Sequence, residues 1–455
     1  MIPRTHTLKC LSIAGSQGPT NGDAHLQLFT IASYLCHQRS LPIMTTTQHA
    51  CRKYFPALEQ QPEVIYLDSA STTQKPSSVL AGMMEYYQRY CANVGRGNYT
   101  WAQKVTDGIS SVREKVATFL HAHHVSEIVF TSGTTAGINT IAYAWGLHNL
   151  RSGDEILYCP DDHKANVLPW LHLQALLQRF GTIIHLIPYS IMPSGEIDYE
   201  GLRAKVSSKT RLITLTHIHN VFGALNDIAR IRTLVGKEIV LSLDAAQSVG
   251  HLAVDVQELG VDFLSFSGHK MFAAPGTGVL WIHTRIHDQL APFLVGGEQE
   301  IASPSGAGEA YLPVHEMPHL LEAGTLNIPG LLSLGKAIDF INDVTLTTIE
   351  QHGKTLTSYL LRHLQQLPEV IFLPGIAYSQ RPLGYGILSF YFEGYTASEL
   401  GFILSSHNIY VRVGTHCTRG RAAQQDSVRI SLHVYNTTEE IDTCMAILQQ
   451  LTNAR

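Results

Sequence analysis

Seven short apolar runs, each closing on small or polar residues, constrain this chain more than any other feature. They are Glu127 to Phe130, Glu155 to Tyr158, Thr182 to Ile187, Arg211 to Thr216, Ile239 to Leu243, Phe263 to Phe266 and Val279 to Ile282. Runs of this length rich in β-branched residues, with amphipathic stretches between most of them, read as buried strands joined by crossover helices. The expected fold class is therefore α/β, with a large, mostly parallel seven-stranded sheet carrying helices on both faces. Pro76 suits the first position of a helix bearing Val79, Leu80, Met83, Tyr86, Tyr87 and Tyr90 at helical spacing. From Pro329 the pattern changes. A long helix around Leu331 to Asn342, another near Gln351 to Leu367, strands near Gly386 to Phe392 and a final helix after Thr437 predict a smaller C-terminal α+β domain.

The expected division is residues 44–328 as mainly a large domain, its first helical segment free to pack on the small one, and residues 329–455 as the small domain. Residues 1–43 are rich in Ser, Thr, Gly and Gln and hold one acid, Asp23. They read as an N-terminal extension, disordered or left untranslated if synthesis begins at Met44. A composition poor in acids also suits an organellar transit peptide.

Composition narrows the function classes. With 45% apolar and 15% charged residues, the chain suits a well-folded enzyme rather than a disordered or coiled-coil protein. A net charge of -5 gives no global field for nucleic acid or anionic lipid, so any bound anion must be held locally. No apolar run reaches the roughly 18 residues of a membrane span, so no membrane partner is expected. Seven cysteines without a CxxC pair suit reduced thiols and a cytoplasmic location, or an organellar one if the extension is a transit peptide. His121 to His124 and His217 to His219 lack the spacing of metal ligands, so no metal is expected.

In an open α/β sheet, ligands collect where strands end. After Phe130 comes Thr131-Ser-Gly-Thr-Thr-Ala-Gly137, whose backbone N–H groups and hydroxyls at Thr134 and Thr135 can hold a phosphate. His163 follows the next strand, and Asn220 the fourth. Asp244 and Gln247 follow the fifth, where an acid needs a cationic or hydrogen-bonding partner. Ser267-Gly-His-Lys270 closes the sixth, and a dehydrated lysine amine is what Schiff-base chemistry requires. Each has an ordinary alternative by itself: a capped helix, a structural histidine, a solvated lysine.

Taken together, this order resembles the class V aminotransferase family of pyridoxal-phosphate enzymes. Tyr66-Leu-Asp-Ser-Ala-Ser71, His163-Lys-Ala-Asn-Val-Leu-Pro-Trp170, Ser267-Gly-His-Lys270, Glu322-Ala-Gly-Thr-Leu-Asn327, Arg412-Val-Gly-Thr-His-Cys417 and Val428-Arg-Ile-Ser-Leu-His-Val-Tyr-Asn-Thr437 sharpen the resemblance to group II (Suf/Csd-type) cysteine desulfurases, from about Val64 to the C-terminus.

The resemblance implies fold type I and pyridoxal 5'-phosphate as cofactor. Lys270 would hold the cofactor covalently and later move the Cα proton, Asp244 would pair with its ring nitrogen, Gln247 would lie by its phenolic oxygen, and His163 would stack on its ring. Thr134, Thr135, Ser267 and His269 would bind its phosphate. Thr325 would reach the neighbouring subunit's phosphate site, implying a homodimer with shared active sites. Asn220, Arg412 and Arg429 would hold the carboxylate of L-cysteine. Cys417 would take the sulfur as a persulfide, leaving alanine, and pass it to a sulfur-acceptor protein serving iron-sulfur cluster assembly or other sulfur metabolism. Arg412, His416 or Arg419 would raise its thiolate fraction. The alternative is another class V enzyme, such as an aminotransferase, an epimerase, or a selenocysteine or cysteine-sulfinate lyase, with Cys417 a bystander. The loop departs from the usual pattern at Thr415 and Thr418 and continues through the polar stretch Arg419 to Asp426.

Overall fold

The computed structural model describes residues 51–95, 97–297, 316–373, 385–420 and 424–453. The expectations for the extension, for a start at Met44 and for Arg421 to Ala423 of the polar loop lie outside the described residues.

After β1 (Ile65–Tyr66), seven strands form the large sheet: β2 (Ile128–Thr131), β3 (Glu155–Tyr158), β4 (His185–Pro188), β5 (Thr210–Thr216), β6 (Val240–Asp244), β7 (Phe263–Ser267) and β8 (Gly278–Ile282). Their spatial order is β2-β8-β7-β6-β5-β3-β4. Only β8 runs against its two neighbours, so the expected mostly parallel seven-stranded sheet is present. The strands β6, β7 and β8 are buried at every position, which is why their sequences are nearly unbroken apolar runs.

One run differs from its expected form. Thr182 to Ile187 is not a fully buried strand: pairing starts at His185, and both His185 and Pro188 are exposed. The Thr182 amide is already committed to Leu177 O, closing the preceding helix, and β4 lies at the sheet edge. An edge strand tolerates Pro188, which has no N–H for a further partner.

Past the large sheet, β9 (Val370–Phe372), β10 (Ile387–Phe392), β11 (Ile409–Tyr410), β12 (Arg412–Gly414) and β13 (Ser427–Ser431) follow. Four of them make an antiparallel sheet in the order β12-β13-β10-β9, and β11 pairs in parallel with β1. Leu388, Phe390, Val428 and Ile430 share a core with Leu356, Leu360, Leu400, Ile441 and Leu448 from the flanking helices. Burying each such side chain stabilises the fold by about 1.5–3 kcal/mol.

The helices α1 (Ser77–Arg89), α2 (Thr100–Phe119), α3 (Thr134–Thr140), α4 (Lys164–Arg179) and α5 (Ile328–Val344) complete the frame needed below. Pro76 sits one residue before α1, with an extended ψ of 152°, rather than inside it. The α5 helix lies close against α1 and α2 because glycines line the crossing. A Cβ on Gly82 would fall 2.9 Å from Lys336 Cγ, and one on Gly335 would fall 2.8 Å from Val112 Cγ2.

The chain also crosses between the two sheets through Leu67 to Lys75. Leu67 N donates to Tyr410 O and Ser431 N donates to Leu67 O, while Thr73 N donates to His269 O just past β7. This strap brings the large-sheet strand ends and the small sheet to one cavity. Among the described residues, no helix is long and apolar enough to cross a membrane.

Candidate active site

A cavity of about 240 Å3 opens at the C-terminal ends of β5, β6 and β7. Thr134, Thr135, His163, Asn220, Asp244, Gln247, Ser267, His269, Lys270, Arg412, Cys417 and Arg429 all line it. Of the residues singled out from the sequence, Thr325 and Arg419 do not line it; the Thr325 hydroxyl accepts a hydrogen bond from Asn93 Nδ2 at 3.3 Å.

The floor is made by strand ends. Asp244 is the last residue of β6 and 5% exposed. Burial raises its pKa, and the Ala246 amide donating to Oδ1 at 2.9 Å pulls the other way. Among the described residues no cation forms an ion pair with it, although Lys270 acts on it through space. Lys270 ends the turn Gly268–Lys270 that follows β7. Burial lowers its pKa to about 8, against the pull of Asp244 and with the push of Arg429. A lysine so placed has a sizeable neutral fraction near neutral pH, as a nucleophile or base requires.

At one end of the floor, Gly133 turns the chain with φ +148°, and a Cβ there would lie 3.1 Å from Ser267 Oγ. The Thr134 amide donates to Ser267 Oγ at 2.9 Å and the two hydroxyls pair at 2.8 Å, forming a cup of small polar groups at the start of α3. His163 caps α4, its Nδ1 accepting from the Ala165 amide at 3.1 Å, which leaves the proton on Nε2. Burial first, then Lys270, lowers its pKa to about 3, so the ring is neutral. His269 is likewise neutral, lowered to about 4 by burial and the nearby Lys270.

The opposite wall comes from the small sheet. Arg412 and Arg429 face each other across β12 and β13. Like charges directly opposite in an antiparallel pair repel, so the arrangement calls for an anion. Arg429 is 3% exposed, with Nη1 donating to Asn220 O at 3.0 Å and Nη2 to Ser71 Oγ at 2.8 Å and Asp68 Oδ1 at 3.2 Å. Its Nε, Asn220 Oδ1 and Gln247 Oε1 are buried without a partner.

Cys417 follows β12 on a strained loop. His416 has φ 52° and Cys417 φ 60°, two consecutive non-glycine residues in the left-handed region. Their conformation is held from outside: Asn220 Nδ2 donates to His416 O at 2.8 Å and the Lys164 amide donates to Cys417 O at 2.8 Å. His416 Nε2 pairs with Ser427 Oγ at 2.8 Å. Burial and then Arg429 lower the His416 pKa to about 3. The imidazole is therefore neutral and supplies no positive charge to the thiol, contrary to the expectation from sequence; Arg412 remains as a cation on the approach.

Sequence reasoning missed the roles of Asp68 and Ser71, which lie 361 and 358 residues from Arg429 yet hold it. It also passed over Lys75. No spacing rule connects positions so far apart, and only the quoted Tyr66 to Ser71 motif pointed there. His217 and His219 are core residues: His217 Nδ1 pairs with Ser248 Oγ, and His219 Nε2 donates to Asp161 O.

The model of the family described as aminotransferase class-V matches residues 65–444. The chain belongs to this family. A probable cysteine desulfurase of Halalkalibacterium halodurans is 35% identical over 401 residues, covering 87% of this chain and 95% of that protein. A cysteine desulfurase of Klebsiella pneumoniae is 35% identical over 417 residues, covering 90% of this chain and 99% of that protein. The apo structure of a cysteine desulfurase from Thermococcus onnurineus superposes with a TM-score of 0.82 at 31% identity, covering 90% of this chain and all of that one.

The residues present fit pyridoxal phosphate. The hydroxyl cup at Gly133 to Thr135 suits a phosphate, and the unpaired buried Asp244 suits a protonated ring nitrogen. Gln247 Oε1 is left with a hydrogen-bond capacity that the protein itself does not fill.

Proposed function

We propose that this chain is a pyridoxal-phosphate-dependent cysteine desulfurase, which takes sulfur from L-cysteine as a persulfide on Cys417 and releases L-alanine. The observation that carries the reading is the meeting in one cavity of a lysine lowered to about 8, an unpaired buried aspartate, two facing arginines and a cysteine on a strained, externally held loop.

Thr134, Thr135, Ser267 and His269 would hold the cofactor phosphate, Asp244 would pair with its ring nitrogen, Gln247 would lie by its phenolic oxygen, His163 would cover its ring and Lys270 would hold it covalently. When bound, the cofactor supplies an electron sink that makes the Cα proton of the substrate acidic. Arg429, Arg412 and Asn220 bind the substrate carboxylate, for which the Arg429 guanidinium is already oriented by Ser71 and Asp68. Lys270, released when the substrate amine takes its place, would take the Cα proton as the neutral amine. Cys417 Sγ, as thiolate, then attacks the substrate sulfur. The new S–S bond forms as the Cβ–S bond breaks, its electron pair stays with Cβ and takes up a proton there, and the Lys270 ammonium returns a proton to Cα to complete alanine. An acceptor thiol takes the outer sulfur from Cys417 in a later exchange. A reducing compartment keeps that cycle open, and Thr325, outside the chain's own cavity, is assigned to the phosphate site of a second copy in a homodimer.

The test is Cys417→Ser. Release of alanine and sulfide from L-cysteine falls at least about 10³-fold while the cofactor absorbance is retained. Unchanged turnover would instead favour a class V reaction in which Cys417 takes no part.

A further inference from the structure

The turn that carries Lys270 is gripped from behind by the strap that crosses between the sheets. Four donors converge on one carbonyl, His269 O: the Thr73 amide at 3.0 Å, the Thr72 and Thr73 hydroxyls at 3.1 Å each, and Lys75 Nζ at 2.9 Å. Lys75 Nζ also donates to Thr73 O at 2.6 Å, and the Phe272 amide donates to Thr73 Oγ1 at 2.8 Å. Phe272 itself sits at φ 74°, a left-handed conformation that a bulky residue adopts only when surrounding bonds hold it. Every acceptor of Lys75 is a neutral carbonyl or hydroxyl, and among the described residues it has no carboxylate partner. A half-buried lysine without a counter-ion is unfavourable in a purely structural role, where a neutral side chain would pack as well. Burial accordingly lowers its pKa to about 7.

We infer that Lys75 is a positioning residue for the reaction: by fixing the His269 carbonyl it sets the backbone from which the Lys270 amine enters the cavity. The inference rests on the reading of Lys270 given above. Lys75 touches neither substrate nor cofactor in this scheme and acts only through the turn. Its Nζ adds a side-chain donor to the grip on the carbonyl beyond the two threonine hydroxyls.

The experiment compares wild type with Lys75→Met and Lys75→Arg. In the apoprotein, amide hydrogen exchange at Lys270 to Ala273 accelerates about tenfold in Lys75→Met, the loss expected for one hydrogen bond. In the loaded enzyme kcat falls about tenfold with KM within about twofold, and Lys75→Arg recovers most of both effects. Unchanged exchange at these amides in Lys75→Met overturns the proposal, as does a loss that appears equally in kcat and thermal stability and is not recovered by arginine. If Lys75→Met does not fold, Thr72→Val carries the test: a smaller acceleration at the same amides supports the grip, and none overturns it. Lys270→Ala reports on the underlying reading separately, since full turnover there would remove the assignment of Lys270 while leaving the exchange result intact.

Discussion

Lys270 and Cys417 face the same cavity from backbones of opposite character. Lys270 follows a fully buried strand, and its turn is pinned by the strap and by Thr277 O, which accepts the Gly268 amide. Cys417 is exposed, lies three residues past the short strand β12, and occupies a left-handed conformation held by Asn220 and Lys164. The difference follows from what each must do. A lysine that moves a proton at one carbon gains from a fixed, dehydrated position. A cysteine that must first reach the substrate and then hand sulfur to another thiol needs access from outside. On the proposed mechanism, the cavity joins a pinned half for bond activation to an accessible half for sulfur removal.

Substitutions can separate the two halves of the cavity. The largest effect is expected for Lys270→Ala, which loses at least about 10⁴-fold in turnover together with the absorbance of the covalently held cofactor. Cys417→Ser, by contrast, loses turnover and keeps the absorbance. If both variants lost the cofactor alike, the two halves would not be separate. Asp244→Asn comes next: kcat falls about 10²-fold to 10³-fold, read by steady-state kinetics, because the charge facing the ring nitrogen is gone. Arg412→Gln touches only the small-sheet wall. It raises KM for cysteine about tenfold, leaves the cofactor spectrum unchanged, and is checked by the same kinetics.

Acid affects both halves at once and least per residue. His163 and His416 are lowered to about 3, and His217, His251 and His269 to about 4, all chiefly by burial. In the unfolded chain they titrate near about 6.5. Below that value the unfolded state binds more protons, so stability is full at neutral pH and falls as pH drops from about 6.5 toward about 4. Thermal melts at pH 5 are expected to lie below those at pH 7.5; equal melting temperatures would contradict the buried neutral histidines.

Much of the floor was legible because parallel strands that are buried throughout leave only their ends free for polar chemistry. Asp244 and Ser267 to Lys270 stand out as breaks in apolar runs for that reason. The wall was less legible. Arg429 sits inside a buried strand, and its partners Asp68 and Ser71 reach it only through the crossing strap. The left-handed pair His416 and Cys417 carries no glycine or asparagine to announce it, since its conformation is imposed by hydrogen bonds from Asn220 and Lys164. The neutrality of His416 is equally a consequence of burial, which no local spacing reveals. At β4 the apolar run suggested a buried strand, but position at the edge, set by the order of the whole sheet, decided otherwise.

The proposed mechanism turns on Cys417 as the sulfur-accepting nucleophile. Mass spectrometry of the peptide containing Cys417, taken from the pyridoxal-phosphate-loaded enzyme after incubation with L-cysteine and without an acceptor thiol, tests it most directly. One added sulfur atom is expected on Cys417 and none on Cys91, the other exposed cysteine among the described residues. Alanine formed with Cys417 unmodified, or the added sulfur on another cysteine, would contradict it.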